Sequence, residues 1–281
     1  MVKREDLIHP YISGNKFRKL KYNLLEARNG GLGTIVTFGG AYSNHIAATA
    51  YAGKAYGIRT VGVIRGEELA GNWQDNPTLA QAHNHGMQFK FISREQYRDK
   101  ADMDFCKSLQ DEIGPFHMVP EGGTNILAVK GCEEILTGSD QDFNVVCCSV
   151  GTGGTLAGLI NSSVPEQQIL GFTALKGDFL TKDIRKFATK KNWALNGDYH
   201  FGGYAKVSTA LIEFINYFKD RTGIPTDPIY TGKLIYGILD LVRLDYFRPG
   251  TKILAIHTGG LQGIAGMNSV LRKRRLPLIK V

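Results

Sequence analysis

The sequence has few cysteines, four among 281 residues, and no two of them are separated by two residues. Zinc sites and disulfide frameworks usually need cysteines at such paired spacings, so neither is predicted. Cys147 and Cys148 are adjacent within an apolar run, where we interpret them as small core residues. This usage is typical of a reducing compartment, and we expect a cytoplasmic protein.

Long apolar runs and several catalytic signatures are also missing. No uninterrupted apolar stretch is long enough to span a bilayer, and the charged start, residues 1–6, predicts no secretory signal. The sequence lacks the H-E-x-x-H pair of metalloproteases, the clustered acids of glycosidases and the G-x-S-x-G elbow of α/β-hydrolases. His83 and His85 are a weak metal motif that we interpret as surface residues, so no metal is expected.

Acidic residues are outnumbered, with 26 Asp and Glu against 34 Lys and Arg, which gives a formal net charge of +8. The basic residues are spread along the chain, and their densest run is 272–275. Because aromatic and basic residues do not alternate as in single-strand binders, we expect no nucleic-acid partner. A phosphorylated cofactor or an anionic substrate explains the charge equally well.

Apolar, β-rich segments alternate with helical segments along most of the chain. Strands are predicted at 34–38, 60–64, 88–92, 116–119, 144–149, 169–173 and 252–256. Helices are predicted at 44–56, 77–85, 125–136, 155–160 and 211–221. This order predicts an α/β fold of mostly parallel sheets with right-handed crossovers.

The beginning of the chain is unusual, because no strand is predicted ahead of the charged segment 3–6 to cover the sheet. Either the protein is a compact variant or an upstream piece is absent. No linker divides the chain, so any division into domains must come from the fold itself.

Glycine-rich turns at 13–19, 38–45, 151–155 and 256–260 carry the polar residues of interest. Lys16 lies in the first of these turns. A lysine amine forms Schiff bases with carbonyl compounds, above all pyridoxal phosphate (PLP), and acts as an acid–base group once burial lowers its pKa. The alternative is a lysine that merely solvates the start of a helix, and the accompanying turns favour the chemical role.

The turn from Gly151 to Thr155 follows a buried strand and predicts a phosphate cradle, because glycines let successive N–H groups point into one concavity. A dinucleotide site is the main alternative, since Gly151 and Gly153 match the first two positions of G-x-G-x-x-G. Its third position holds Leu156, and no acidic residue ends the next strand, which disfavours that alternative. A purely structural turn also stays open.

Other polar side chains lie beside glycines. Ser43, Asn44 and His45 begin a helix after a Gly-Gly turn, and capping needs only one such residue, so ligand contacts are predicted as well. Tyr204 and Tyr230 also have glycine neighbours, which permit close approach of a ligand, although half-buried core tyrosines are the alternative.

Six segments together carry a family resemblance: Lys3–Leu7, Gly14–Lys19, Ser43–His45, Pro120–Gly123, Gly151–Thr155 and Tyr230–Lys233. In this combination and order they resemble the aminocyclopropane-carboxylate (ACC) deaminase/D-cysteine desulfhydrase family of PLP enzymes. That family has the fold type of the tryptophan synthase β-chain. The resemblance covers essentially the whole chain.

The resemblance implies PLP as the cofactor and assigns its contacts. Lys16 would be the Schiff-base lysine, Asn44 would bind the 3-hydroxyl, and Thr231 would face the pyridine nitrogen. The phosphate would be held by Lys19, Gly151, Thr152, Gly153, Gly154 and Thr155.

The substrate contacts are implied in the same way. Ser43 and Asn44 would lie on the substrate side, His45 would help to hold a carboxylate, and Trp73 would line the pocket. Lys16, Ser43, Tyr204 and Tyr230 would be the catalytic residues. The chain departs from the family before Tyr204, where it has glycine and the relatives tend to have proline.

The resemblance also implies the architecture. The expected fold is α/β, with two domains of mostly parallel, twisted sheets flanked by helices and with PLP in the cleft between them. A larger domain would comprise residues 1–19 and 126–281, and a smaller inserted domain residues 20–125. We expect a homodimer acting on a small amino acid, without a nucleic-acid or membrane partner.

Position 231 bears on the reaction, a lyase or hydrolase reaction that releases ammonia. In the family, ACC deaminases have Glu there and D-cysteine desulfhydrases have Thr. A hydroxyl can only share a hydrogen bond with the pyridine nitrogen, which suits β-elimination from D-cysteine to pyruvate, ammonia and sulfide. ACC deamination to 2-oxobutanoate and ammonia is the alternative. A PLP-binding protein without robust turnover is an alternative of a different class.

Overall fold

The computed structural model describes residues 1–100, 102–177 and 179–280 as two parallel sheets flanked by helices. The strands are β1 (Val2–Lys3), β2 (Thr34–Gly39), β3 (Arg59–Arg65), β4 (Gln88–Ile92), β5 (His117–Val119), β6 (Val145–Val150), β7 (Gln168–Thr173), β8 (Trp193–Asn196) and β9 (Ile253–Ile256). The five-stranded sheet has the order β1-β9-β6-β7-β8, and the four-stranded sheet has the order β4-β3-β2-β5. Every described strand pair is parallel, as predicted.

The helices cover both sheets. They are α1 (Asn15–Asn29), α2 (Asn44–Tyr56), α3 (Pro77–Asn84), α4 (Met103–Ile113), α5 (Ile126–Glu133), α6 (Gly154–Ser162), α7 (Phe179–Arg185), α8 (Thr209–Thr222), α9 (Thr231–Arg243) and α10 (Gly263–Lys273). All five predicted helices are present, but α1, α4, α7, α9 and α10 were not predicted. Side chains accept backbone N–H bonds at the starts of α2, α3, α4, α5 and α8. These caps satisfy donors that a helix itself leaves free.

The central strands explain why the α/β prediction succeeded. Every residue of β2 and of β6 is buried, and both strands are dominated by Val, Ile and other small or apolar residues. Parallel sheets covered by helices on both faces need such continuous runs, because neither face of the strand meets water.

The edge of the five-stranded sheet differs from the prediction. Val2 and Lys3 form β1, which pairs with Ala255 and Ile256 of β9, so the expectation that no early strand covers the sheet was wrong. A two-residue strand has no alternation to read, which is why the sequence pattern did not reveal it. Strand β8 at the opposite edge was also missed, and its four residues are only half-buried.

The two sheets divide the chain in a simple way. All strands of the four-stranded sheet lie within residues 20–125, and those of the five-stranded sheet lie before or after that interval. This division agrees with the domain boundaries predicted above, which stay predictions. The carboxyl ends of β2, β5, β6 and β9 lead into Gly-rich turns, and these turns meet between the sheets.

Candidate functional site

One pocket brings together most of the predicted site residues. It lies where turns from both sheets meet, as ligand sites do in parallel α/β folds. Its predicted members are Lys16, Lys19, Ser43, Asn44, His45, Gly151, Thr152, Gly153, Thr155, Tyr204 and Tyr230. Gly154, Thr231 and Trp73 do not line it.

Lys16 lies on the first turn of α1 and is half-buried in this pocket. Burial, together with the neighbouring charge of Lys19, lowers its pKa to about 7. Its Nζ donates to Oδ1 of Asn15 at 3.0 Å, and Nδ2 of Asn15 donates to Oγ1 of Thr155 at 2.8 Å. The amine is therefore held beside the Gly-rich loop and is partly unprotonated near neutral pH.

The Gly-rich loop leads from β6 into α6 and leaves little room for a side chain at Gly151 and Gly153. Gly153 has a φ of +82°, and a Cβ there would lie 2.7 Å from Ile184 of α7. A Cβ on Gly151 would lie 3.2 Å from the ring of Tyr230. The loop ends at the N-terminus of α6, where free N–H groups and the helix dipole favour an anion.

Lys19 lies beneath this loop and is buried. Its Nζ donates to the carbonyl of Gly122 at 2.8 Å, to Oγ1 of Thr124 at 2.9 Å and to Oγ1 of Thr152 at 3.5 Å. Burial lowers the pKa of this amine, and none of its bonded partners is a carboxylate. A phosphate at the loop would supply the opposite charge that the buried ammonium lacks.

Ser43, Asn44 and His45 form the start of α2. Oγ of Ser43 accepts the N–H of Ile46 at 3.3 Å, so Ser43 is the cap residue, and its own hydroxyl proton stays available. The backbone N–H groups of Asn44 and His45 belong to the first helical turn, which makes no internal bonds. These groups can therefore hold a carboxylate.

The ring of His45 has a defined protonation. Oγ1 of Thr37 donates to the carbonyl of Val119 at 2.8 Å, so it must accept the Nε2 proton of His45, also at 2.8 Å. Burial lowers the pKa of His45 well below its usual value, and Nδ1 is buried without a partner in the described residues. The neutral ring has no second proton to donate, so the predicted carboxylate contact is left to backbone N–H groups.

Tyr204 and Tyr230 meet at the mouth of the pocket. Their ring centroids are 6.3 Å apart and their planes are inclined by 63°. Burial raises the pKa of both phenols, more strongly for Tyr230, so both are proton donors at neutral pH. Tyr204 is 43% exposed, and Tyr230, at the start of α9, is less exposed. Tyr204 therefore lies on the outer side of the pair.

Thr231 lies behind the pocket wall and is fully buried. Its hydroxyl donates to Oδ1 of Asp227 at 2.8 Å and accepts the N–H of Asp227 at 2.8 Å. One lone pair is left, so Thr231 can only accept a hydrogen bond from any further group. Oδ1 of Asp227 lies 3.6 Å from where a Cβ on Gly260 would be, so a buried carboxylate stands close to the pocket.

The two other predicted residues outside the pocket have structural contacts. Trp73 packs against His83 and Phe89, with ring centroids 4.7 Å and 5.3 Å away. Gly154 begins α6, and a Cβ there would lie 2.8 Å from Oγ1 of Thr124. His83 packs on Trp73. No cluster of three or more metal-ligating side chains occurs in residues 1–100, 102–177 and 179–280.

The final Gly-Gly turn was among the turns expected at the site, but none of its residues was assigned a contact, and several other lining residues were missed. The lining also includes Ser13, Asn15, Gly122, Ser149, Val150, Leu156, Thr258, Gly259 and Gly260. Asp227, which accepts the hydroxyl proton of Thr231, was missed too. A glycine or a lone aspartate in a loop carries no signal until the fold brings it to the pocket.

The pocket fits a pyridoxal monophosphate in its chemistry. A phosphate matches the Gly-rich loop, the N-terminus of α6 and Lys19, and an aldehyde matches the unprotonated amine of Lys16. Asn44 makes no side-chain bond in the described residues, and its Nδ2 lies 2.7 Å from the Cβ position of Gly260. Its amide is therefore available to a ring hydroxyl.

In the described part of the chain, no helix is long and apolar enough to cross a bilayer.

Comparisons with known proteins agree with this chemistry. A sequence model of the family "Pyridoxal-phosphate dependent enzyme" matches residues 1–259. The chain is 34% identical over 286 residues to a "Putative 1-aminocyclopropane-1-carboxylate deaminase" of Thermotoga maritima, covering 94% of this chain and 89% of the relative. It is 28% identical over 292 residues to a "Bifunctional D-cysteine desulfhydrase/1-aminocyclopropane-1-carboxylate deaminase, mitochondrial" of Arabidopsis thaliana, covering 94% and 72%.

The fold has a close counterpart among solved structures. The structure titled "Crystal Structure Analysis of the ACC deaminase homologue" superposes with a TM-score of 0.82 at 28% identity. The match covers 97% of this chain and 87% of that one. The α/β architecture expected from the sequence is therefore confirmed.

Proposed function

Because the chain belongs to the PLP-dependent enzymes, within the ACC deaminase/D-cysteine desulfhydrase family, we propose that it is a lyase acting on D-cysteine. The products would be pyruvate, ammonia and sulfide. The observation that carries this proposal is the Lys16 amine, whose pKa of about 7 makes it a base at the pocket. The expected hydrolase class is wrong, because the activities named for the relatives are lyase reactions.

PLP supplies the electron sink when bound, and the chain supplies binding and proton transfer. The N–H groups at the start of α2 would hold the substrate carboxylate, with the Ser43 hydroxyl as a further donor. Lys16 would remove the α-proton through its Nζ, since its lowered pKa leaves much of the amine unprotonated at neutral pH. Tyr204 and Tyr230 would face the departing sulfur, to which either phenol could give a proton.

ACC deamination is a second candidate, and the bonding of Thr231 favours it. From the sequence, the threonine hydroxyl is expected to share a hydrogen bond with the pyridine nitrogen. In the structure that hydroxyl gives its proton to Asp227, so towards the nitrogen it can act only as an acceptor. An acceptor that is itself hydrogen-bonded to a carboxylate stabilises a protonated pyridine ring. Opening the cyclopropane ring of ACC needs that protonation. A threonine at position 231 therefore does not exclude ACC as a substrate.

Parallel assays would distinguish the candidates. The enzyme is incubated separately with D-cysteine, L-cysteine and ACC, and pyruvate, sulfide and 2-oxobutanoate are measured, with Lys16→Ala as the inactive control. The proposal expects pyruvate and sulfide in equal amounts from D-cysteine and little 2-oxobutanoate from ACC. Activity on ACC alone would establish the second candidate. A protein that binds PLP but turns over none of the three would be a binding protein.

We also propose that the protein acts in the cytoplasm as a homodimer. The support is the cysteine usage and the family resemblance described above. Sedimentation of the PLP-loaded protein would test the assembly, and a monomer at all concentrations would refute it.

A further inference from the structure

Lys233 is a buried lysine to which the reaction above gives no role. It lies on the first turn of α9, is only 2% exposed and has no carboxylate within ion-pair distance in the described part of the chain. Its Nζ instead donates to two backbone carbonyls, that of His200 at 2.8 Å and that of Gly203 at 2.9 Å. An ammonium in such surroundings is costly to bury, so its position needs an explanation.

The two carbonyls belong to a turn with an unfavourable backbone. Phe201, Gly202, Gly203 and Ala205 have φ values of +52°, +92°, +113° and +55°. Phe201 and Ala205 carry a Cβ, and side-chain residues rarely adopt such φ values without support from their surroundings. Lys233 bonds both ends of the 200–203 segment, and so supplies that support.

This turn carries Tyr204 into the pocket. Tyr204 directly follows the Gly203 carbonyl that Lys233 binds, and its ring meets Tyr230. Tyr230 lies three residues before Lys233, at the start of the same helix. The ammonium therefore links the backbone on one side of the tyrosine pair to the helix on the other side.

We propose that Lys233 is a positioning residue that fixes Tyr204 against Tyr230 through the carbonyls of His200 and Gly203. The proposal deepens the proposed function and rests on it, because the two tyrosines are assigned to the departing group. Lys233 does not line the pocket, so it acts only through Tyr204. Burial also lowers its pKa to about 8, and the nearby charge of Asp227 opposes that shift.

The first test does not depend on any substrate. Hydrogen–deuterium exchange is measured for the backbone of residues 200–206 in the PLP-loaded wild type, in Lys233→Met and in Lys107→Met, an exposed control. Lys233→Met fills the same space without donors, so exchange in this segment should rise by at least about tenfold. Lys107→Met should leave it unchanged. Equal protection in all three proteins would overturn the proposal.

A double-mutant cycle then tests the link to Tyr204. Lys233→Met should lower kcat for the active substrate by about 10- to 100-fold, the effect of a misplaced catalytic group, with PLP content retained. In a Tyr204→Phe background the same substitution should have no further effect. Additive losses would mean that Lys233 acts elsewhere and would contradict the proposal.

A milder variant covers the case in which Lys233→Met does not fold. Lys233→Gln keeps an N–H donor but is shorter, so exchange and kcat should lie between those of wild type and of a chain without the donor. If the wild type turns over none of the tested amino acids, the proposed function fails while the exchange experiment still decides the positioning role. Wild-type exchange in Lys233→Gln together with unchanged kcat would count against that role.

Discussion

At the scale of single residues, Lys16 gives the clearest pH dependence. Its free amine reacts with an aldehyde and its ammonium does not, so attachment of PLP to the apoenzyme should become faster as the pH rises. The rate should increase through about pH 7, the pKa of Lys16, and level off above it. Stopped-flow visible absorbance measures the rate, with Lys16→Ala as the blank. A rate that keeps rising to about pH 10, as for an ordinary lysine, would contradict the lowered pKa.

The hydrogen bonds between Thr231 and Asp227 can be tested through the stability of the fold. Thr231→Val keeps the shape but removes the donor to Asp227 and the acceptor for the Asp227 N–H, both buried. The free energy of unfolding should fall by about 1–3 kcal/mol, since buried polar groups lose their partners. Thr231→Ser keeps the hydroxyl and should lose less. Urea unfolding measures both, and equal losses would show that the Asp227 bonds do not matter.

Residue identities in the site were largely readable from the sequence, whereas their bonding was not. Lys16, Lys19 and the Ser43–His45 trio lie at the pocket as expected. The tautomer of His45 depends on Thr37 and Val119, which come from two different strands. The Asp227 bond to Thr231 likewise arises only in the folded loop before α9. Such contacts have no local pattern in the chain.

At the scale of elements, the Gly-rich loop makes a prediction with a matched control. Gly153→Ala and Gly223→Ala both place a side chain at positive φ, +82° and +72°. Each should lose about 1–2 kcal/mol of stability from backbone strain. Only Gly153→Ala should also weaken PLP retention on dialysis, because its Cβ would press on Ile184, whereas Gly223 has open space. Equal PLP retention in both variants would favour a purely structural turn.

Long, buried strands were predictable and short or edge strands were not. Strand β6 is a continuous apolar run bounded by polar and glycine residues, so its position follows from burial on both faces. Helix α9 was missed although the sequence carries a helical pattern there, since Leu234, Ile238 and Leu241 recur on one buried face. Strand β8 has only four residues at a sheet edge, where a half-buried environment leaves no continuous apolar run.

At the scale of the whole molecule, α1 connects the two sheets and carries Lys16. It packs against α2, which flanks the four-stranded sheet, and against α5, which packs on α6 of the five-stranded sheet. A Cβ on Gly131 of α5 would overlap the backbone carbonyl of Arg18 in α1. Gly131→Ala should therefore lose about 1–3 kcal/mol of stability and weaken PLP binding together.

The control for this helix contact is Gly138→Ala, because Gly138 has open space around its Cβ position and a φ outside the left-handed region. It should leave the midpoint of urea unfolding and the PLP dissociation constant close to those of the wild type. If Gly131→Ala changes neither quantity more than Gly138→Ala does, the close approach of α1 and α5 does not support the site.

The covalent position of the cofactor tests the central claim most directly. The PLP-loaded enzyme is reduced with borohydride, digested, and its peptides are mapped by mass spectrometry for a pyridoxyl-modified lysine. The structure predicts that Lys16 carries the label in stoichiometric amount, because its amine lies at the pocket with a pKa lowered to about 7, whereas the Lys19 amine is held by Gly122 and Thr124. Labelling of Lys19, Lys233 or another lysine in its place, or loss of the visible absorbance without any labelled peptide, would contradict the assignment of the site.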